Sequence, residues 1–275
     1  MQGEGFIEKF NDKTAIVTGG GSGIGRALCR ELGKRGAVVI AADINFEGAG
    51  ETAASIPKAK AVSLDVAKPE DVKKLIHDTA NEYGKLDYIF NNAGIVIIGE
   101  VRDLDDEHWR RQIDVNLMGV VYGTTTAYKL MVKQGFGHIV NTASMAGLMG
   151  TPAFAPYSLT KHGVVGLSTA LRAEGEGLNV KVSVVCPGFV QTPMATDFNA
   201  VNVDREKFAA SIPNVFVSAE KAARIILDGV AKNKAIIAFP FAFRLVWWLY
   251  RIHPSLAAPL ARKMIKDFRS TRLDA

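Results

Sequence analysis

Seven short runs of apolar, largely β-branched residues recur along this chain, separated by stretches of helix length. They are TAIVT (14–18), AVVIAA (37–42), AVSL (61–64), LDYIF (86–90), HIVNT (138–142), VKVSVV (180–185) and AIIAF (235–239). Most are continuous rather than alternating, the pattern of strands buried on both faces of a parallel sheet. Helices are expected at 24–35, 69–83, 106–131, 157–175 and 218–231. Strand alternating with helix implies right-handed crossovers, with helices on both faces of one sheet. The expected fold class is α/β: a single doubly wound domain over 1–238, with a seven-stranded parallel sheet. A C-terminal helical extension, 239–275, follows it. No linker, repeat or low-complexity stretch divides the main body.

The first strand runs into Thr18-Gly-Gly-Gly-Ser-Gly-Ile-Gly25, which opens a helix. Glycines there let the backbone approach a pyrophosphate, and the helix N-terminus offers free N–H groups to the anion. The spacing is TGxxxGxG, through Gly19, Gly23 and Gly25, with Ser22 and Ile24 between them. Asp43 closes the second run, where a carboxylate can accept hydrogen bonds from the adenosine ribose hydroxyls and repel a 2′-phosphate. Ser22 and Ile44 are uncharged, although Arg26, Lys34 and Arg35 are rival cations nearby. A Rossmann domain that prefers NAD over NADP is expected.

Ordered motifs follow: LDV (64–66), NNAG (91–94), DVN (114–116), Ser144 thirteen residues before Tyr157, YSLTK (157–161) and CPGFVQT (186–192). With TGGGSGIG they make residues 11–239 resemble a short-chain dehydrogenase/reductase. The resemblance implies that Asp65 and Val66 lie at the adenine, and that Asn92, Ala93 and Gly94 line the cofactor cleft. It also implies that Pro187, Gly188 and Val190 shape the nicotinamide pocket and that Thr192 bonds the carboxamide. By the same resemblance Tyr157 is the acid–base group, and Ser144 hydrogen-bonds the substrate oxygen. Lys161 binds the nicotinamide ribose, and Asn116 holds a water that connects Lys161 to solvent. An ammonium one helical turn from the phenol is expected to lower its pKa from the usual value of about 10. His162, after Lys161, departs from the small residue often found there, on a helix that commonly contributes to a subunit interface. A homodimer or homotetramer is expected.

The stretches after Ser144 and after Thr192 supply Met145, Leu148, Met149, Phe154, Met194 and Phe198 as expected pocket walls. Such walls favour an apolar secondary alcohol or ketone over a sugar or anion. Alternatives are an NADP-dependent carbonyl or oxoacyl reductase, and an NAD-binding regulator without catalysis. The latter has no need of the full Asn–Ser–Tyr–Lys set.

Composition bears on the remaining classes. Two cysteines far apart and five scattered histidines give neither a disulfide framework nor a metal site, and no metal is expected. The charged opening residues carry no secretory pattern, so a cytoplasmic location is expected. The net charge of +5 sits wholly in 239–275, which holds seven basic residues and two acidic ones. The neutral main body argues against nucleic-acid binding. In 239–268 Arg244 and Arg251 interrupt an apolar run too short to span a bilayer. Three roles stay open for that segment: packing in an oligomer, closing the pocket, or peripheral contact with a membrane.

Overall fold

The computed structural model describes residues 9–195, 197–211 and 217–274. At its centre lie seven parallel strands: β1 (Thr14–Thr18), β2 (Val38–Asp43), β3 (Ala59–Ser63), β4 (Tyr88–Asn91), β5 (Gly137–Thr142), β6 (Val180–Pro187) and β7 (Ile236–Phe239). Their order across the sheet is β7-β6-β5-β4-β1-β2-β3. Ten helices are described: α1 (Gly23–Lys34), α2 (Phe46–Ala54), α3 (Pro69–Tyr83), α4 (Asp106–Ile113), α5 (Gly119–Gln134), α6 (Ala155–Glu174), α7 (Arg205–Ser211), α8 (Ala219–Ala231), α9 (Phe241–Ile252) and α10 (Ala258–Arg269).

The continuous apolar runs are explained by the two layers that cover the sheet. Successive strand residues point to opposite faces. Ile16, Ile40, Ile89 and Ile139 stand in register on one face and meet Leu75 and Ile76 of α3 and Ala127 and Met131 of α5. Val17, Val39, Phe90 and Val140 point the other way, against Leu28 and Leu32 of α1 and Ile226 and Leu227 of α8. Both faces are therefore dry. Only β3, at the sheet edge, is mostly half-buried, and it starts at Ala59, paired with Val39, rather than at residue 61. An edge ladder extends through Lys60 without needing apolar side chains.

The strand order reverses between β1 and β4. In such sheets the crevice beyond the strand C-termini at this switch point is where ligands bind. The segment from 239 turns back over that same end. α9, one 3₁₀ turn (Pro254–Ala257) and α10 wall a cavity there instead of extending away. Phe268 of α10 is buried among Ile98, Phe198, Val203 and Phe208. Beyond it, Arg272 bridges Glu100, Asp103 and Asp274, and Asp204 N–H donates to Thr271 O at 2.8 Å. Among the described residues no helix is long and apolar enough to cross a membrane, and no group of side chains could hold a metal ion.

Candidate active site

The glycine turn is shaped by contacts that a side chain would block. Gly19 has φ +69°, and a Cβ there would lie 2.9 Å from Ala93 Cα. A Cβ on Gly25 would lie 1.9 Å from Gly19 O, so the first turn of α1 sits directly under the loop. Thr18, ending β1, ties this loop to the one after β4: its Oγ accepts from Asn92 N–H and Ala93 N–H, both at 3.0 Å. Asp43, ending β2, accepts from Gly21 N–H and Asn45 N–H, each at 2.9 Å. Its carboxylate is thus pre-oriented on the cavity wall beside Gly19, Ser22, Gly23 and Ile24. The rival cations are engaged elsewhere. Arg26 binds Gly21 O and Glu51, and Arg35 bridges Glu31 and Asp228. Lys34 lies outside the cavity, beside a separate surface cleft that it shares with Arg30 and Ile56.

The helix expected over 106–131 is one long rod, α4–α5, widened by a π-turn at Asp114–Met118. π-Turns within α-helices frequently mark functional sites. Here the turn carries buried Asn116, whose Oδ1 accepts from Ile95 N–H and whose Nδ2 donates to Ile95 O, both at 2.8 Å. Gln112, one turn earlier, clamps the same loop, receiving Ile97 N–H and donating to Ile95 O at 2.8 Å. Beneath it, Asn91, Thr124, Asn141 and Ser168 form a buried hydrogen-bonded chain that joins β4 and β5 to α5 and α6. A fully satisfied network of this kind fixes the helices against the sheet.

α6 begins with Pro156 in its first turn, a position that tolerates the missing N–H. Tyr157 and Lys161 follow one turn apart, as their spacing requires. Lys161 is buried and donates to Thr142 O at 2.9 Å, with Nζ 5.5 Å from the Tyr157 ring centre. Burial pulls its pKa down to about 8. Burial also pushes the Tyr157 phenol up, while its hydrogen bond with Ser144 pulls it down. The expected lowering by Lys161 is therefore not what dominates, because removing a phenolate from water costs more than its neighbours return. Phe154 meets the Tyr157 ring edge-on, with centroids 6.4 Å apart. Ser144, between β5 and a short 3₁₀ turn, accepts from Ala146 N–H at 3.1 Å. His162 is exposed, and its Nδ1 contacts Ser158 O at 2.8 Å.

Ser144, Tyr157 and Lys161 share one cavity of about 740 Å³ with the glycine turn, Asp43, Asn92–Gly94, Pro187, Gly188, Val190 and Thr192. Met145, Met149, Phe154, Met194 and Phe198 also line it. Five expected residues do not. Gly25 and Asn116 lie behind the wall, as the supports just described, and Leu148 packs instead into the cluster around Val164 and Cys186. Val66 is buried against Gly119, and Asp65 turns to Ala67 N–H at 3.0 Å. Closing the pocket was one of the roles open for the segment after 239, but its wall residues, Phe243, Val246 and Tyr250 of α9 and Leu260 and Met264 of α10, were not named from the sequence, and neither was Gln112. Phe243 meets Phe189 edge-on, with ring centroids 5.6 Å apart, and a Cβ on Gly188 would come within 2.9 Å of its ring. Asp43 and Lys161 are the charged residues of the lining among the described residues.

A glycine turn at a sheet switch point, sharing one cavity with a serine, a tyrosine and a buried lysine, fits one class: an oxidoreductase built on a Rossmann-like fold. The chain belongs to the short-chain dehydrogenase/reductase family, whose short chain dehydrogenase model matches residues 13–202. Cyclohexanol dehydrogenase of Acinetobacter sp. (strain SE19) is 40% identical over 197 residues, covering 69% of this chain and 78% of that protein. Meso-2,3-butanediol dehydrogenase of Serratia marcescens is 37% identical over 188 residues, covering 68% and 74%. A short-chain dehydrogenase/reductase from Burkholderia phymatum, solved in complex with NAD, superposes with a TM-score of 0.82 at 28% identity. That match covers 90% of this chain and 95% of the other.

Proposed function

We propose that this enzyme interconverts apolar secondary alcohols and ketones with NAD(H), and that Tyr157 moves the proton. The observation that carries the proposal is the single cavity in which Ser144, Tyr157 and Lys161 face apolar walls. The residues present fit a dinucleotide: the close approach at Gly19 and Gly25 would be blocked by any Cβ. Gly19, Ser22 and Gly23 would hold the pyrophosphate, Asp43 the adenosine ribose, Lys161 the nicotinamide ribose, and Thr192 the carboxamide. When bound, the nicotinamide supplies or takes the hydride.

Everything else falls to the chain. Ser144 and Tyr157 orient the substrate oxygen by hydrogen bonds. In reduction the phenol, kept neutral by burial, donates its proton to the developing alkoxide oxygen. In oxidation it accepts that proton, and the largely protonated Lys161 stabilises the phenolate. Asn116 acts by holding the Ile95 loop against the π-turn between α4 and α5. The aromatic and methionine walls exclude water and select apolar substrates. Relatives named for cyclohexanol and 2,5-dichloro-2,5-cyclohexadiene-1,4-diol support cyclic alcohols as the first class to try.

NAD rather than NADP follows from Asp43, a carboxylate at the ribose end with Arg26 turned onto Gly21 O and Glu51. A 2′-phosphate would meet an uncompensated negative charge there. The test is a panel of cyclic and acyclic alcohols and ketones, with NAD(H) and NADP(H) in parallel, followed by nicotinamide absorbance. Turnover confined to charged or sugar substrates, or a preference for NADP, would contradict the proposal.

A further inference from the structure

α9 is apolar on two opposite sides, and the cavity accounts for only one. Ala242, Phe243, Val246 and Tyr250 turn inward to the cavity wall. Phe241, Leu245, Trp248, Leu249 and Ile252 recur at the i, i+4, i+7, i+8, i+11 spacing of a single helix face. That face points away from the protein: Phe241 is 72% exposed, Trp248 61% and Ile252 60%. Leu256, also exposed, continues it into the 3₁₀ turn. A contiguous apolar surface of this kind on a folded domain marks a docking site.

Its cations select the occupant. Arg244 and Arg251 form a strip along one edge of the exposed face, about one quarter turn from it. Each guanidinium lies over an aromatic ring of its own helix, Phe241 at 6.0 Å and Trp247 at 5.4 Å. Arg262, Lys263 and Lys266 are exposed on α10. None of these five has a carboxylate partner among the described residues, whereas Arg269 and Arg272 are held by Glu100. Docking on a second copy through this face would set two identical, strongly basic tails against each other, because a two-fold interface apposes the same patch. An anionic surface instead complements every unpaired cation.

We propose that this face lies in the interface of a membrane bearing anionic lipids. The apolar side chains enter the acyl boundary, and the arginines and lysines reach the phosphate headgroups. The contact is peripheral, since no described helix can span. One helix then gives its outer face to lipid and its inner face to the cavity, which holds the cavity wall at the phase where apolar alcohols and ketones concentrate. That consequence rests on the proposed reaction; the docking does not.

Co-sedimentation of the full-length protein with phosphatidylcholine vesicles, with and without phosphatidylglycerol, tests it directly. Binding to the anionic vesicles that weakens in high salt is expected, with a blue shift of tryptophan emission. Leu245→Glu with Trp248→Glu, and separately Arg244→Glu with Arg251→Glu, should each lower the partition coefficient by about tenfold or more. All four positions are exposed, so unchanged circular dichroism and cofactor affinity certify the fold. Failure of the wild type to bind anionic vesicles at low salt would overturn the proposal. So would double variants that bind as the wild type does. A lipid-free oligomer that the Leu245→Glu/Trp248→Glu variant dissolves would give the face to a second copy and equally defeat it.

Discussion

Phe268→Ala isolates how the helical wall is held in place. The ring is 2% exposed and meets Phe208 nearly perpendicular, at a centroid distance of 5.5 Å, within the cluster of Ile98, Phe198 and Val203. Truncation to Ala removes about 150 Å² of buried apolar surface, worth about 3.8 kcal/mol at 25 cal/mol/Å². A partly collapsed unfolded reference lowers this to about 3 kcal/mol, and the cavity left behind raises it again, into the usual 3–5 kcal/mol for such changes. Because the loss falls on α10, which docks on the core rather than building it, the tail should open before the sheet unfolds. Hydrogen exchange should show amides of 258–269 losing roughly 100-fold in protection, with β1, β4 and β5 little changed. KM for an apolar ketone should rise while NADH affinity is kept, since Phe268 borders the substrate side only. Unchanged protection in α10 together with unchanged KM would refute the claim that this ring pins the wall.

Three further outcomes follow from the geometry. Gly25→Ala places a Cβ 1.9 Å from Gly19 O, and overpacking of about 1–3 kcal/mol should weaken NADH binding roughly 5- to 150-fold by titration calorimetry. Asp43→Ser should weaken NAD and strengthen NADP relative to it; paired titrations showing no narrowing of the ratio would remove Asp43 from the ribose site. Buried His138, bonded to Ser183 Oγ at 2.9 Å, has its pKa pushed down from 6.5 to about 3 by loss of solvent. The unfolded chain therefore binds the extra proton first. The stability of the neutral imidazole is complete above about 6.5 and is lost as pH falls towards about 3, by an amount of order 4 kcal/mol. In denaturant titrations across that window His138→Gln should show a flatter loss than the wild type.

How much of this was legible in the sequence differs element by element. β1, β2 and β4 to β7 announce themselves because a strand covered on both faces is apolar at both parities, save for polar residues such as Asn91, Asn141 and His138 that find buried hydrogen-bond partners. Val190–Gln191 paired with Val217–Ser218, and Ile97–Ile98 paired with Asn199–Ala200, are two-residue ladders too short for any period, and they were not anticipated. The glycine turn and Asp43 were legible because close backbone approach and a carboxylate at a strand end are written in residue types. The phenol's environment was not: helix spacing brings Lys161 beside Tyr157 but says nothing of burial, which here sets the direction of the shift. Leu148 shows the same limit, since a residue near Ser144 can turn to core or cavity without changing the pattern. The sequence showed that the helix after residue 239 is apolar and basic. Which face meets the cavity depends on contacts with Gly188, Phe189 and the Phe208 cluster, far away in the chain.

The central claim is that Tyr157 is the proton-transferring group, and Tyr157→Phe tests it most directly when turnover and cofactor affinity are measured on the same preparation. The substitution removes one hydroxyl and preserves the ring that Phe154 packs against. The account predicts a fall in kcat of about 10²- to 10⁴-fold for the best alcohol or ketone in the panel, with NADH affinity near that of the wild type. A Tyr157→Phe enzyme that binds NADH normally and turns over at a rate close to wild type would contradict it.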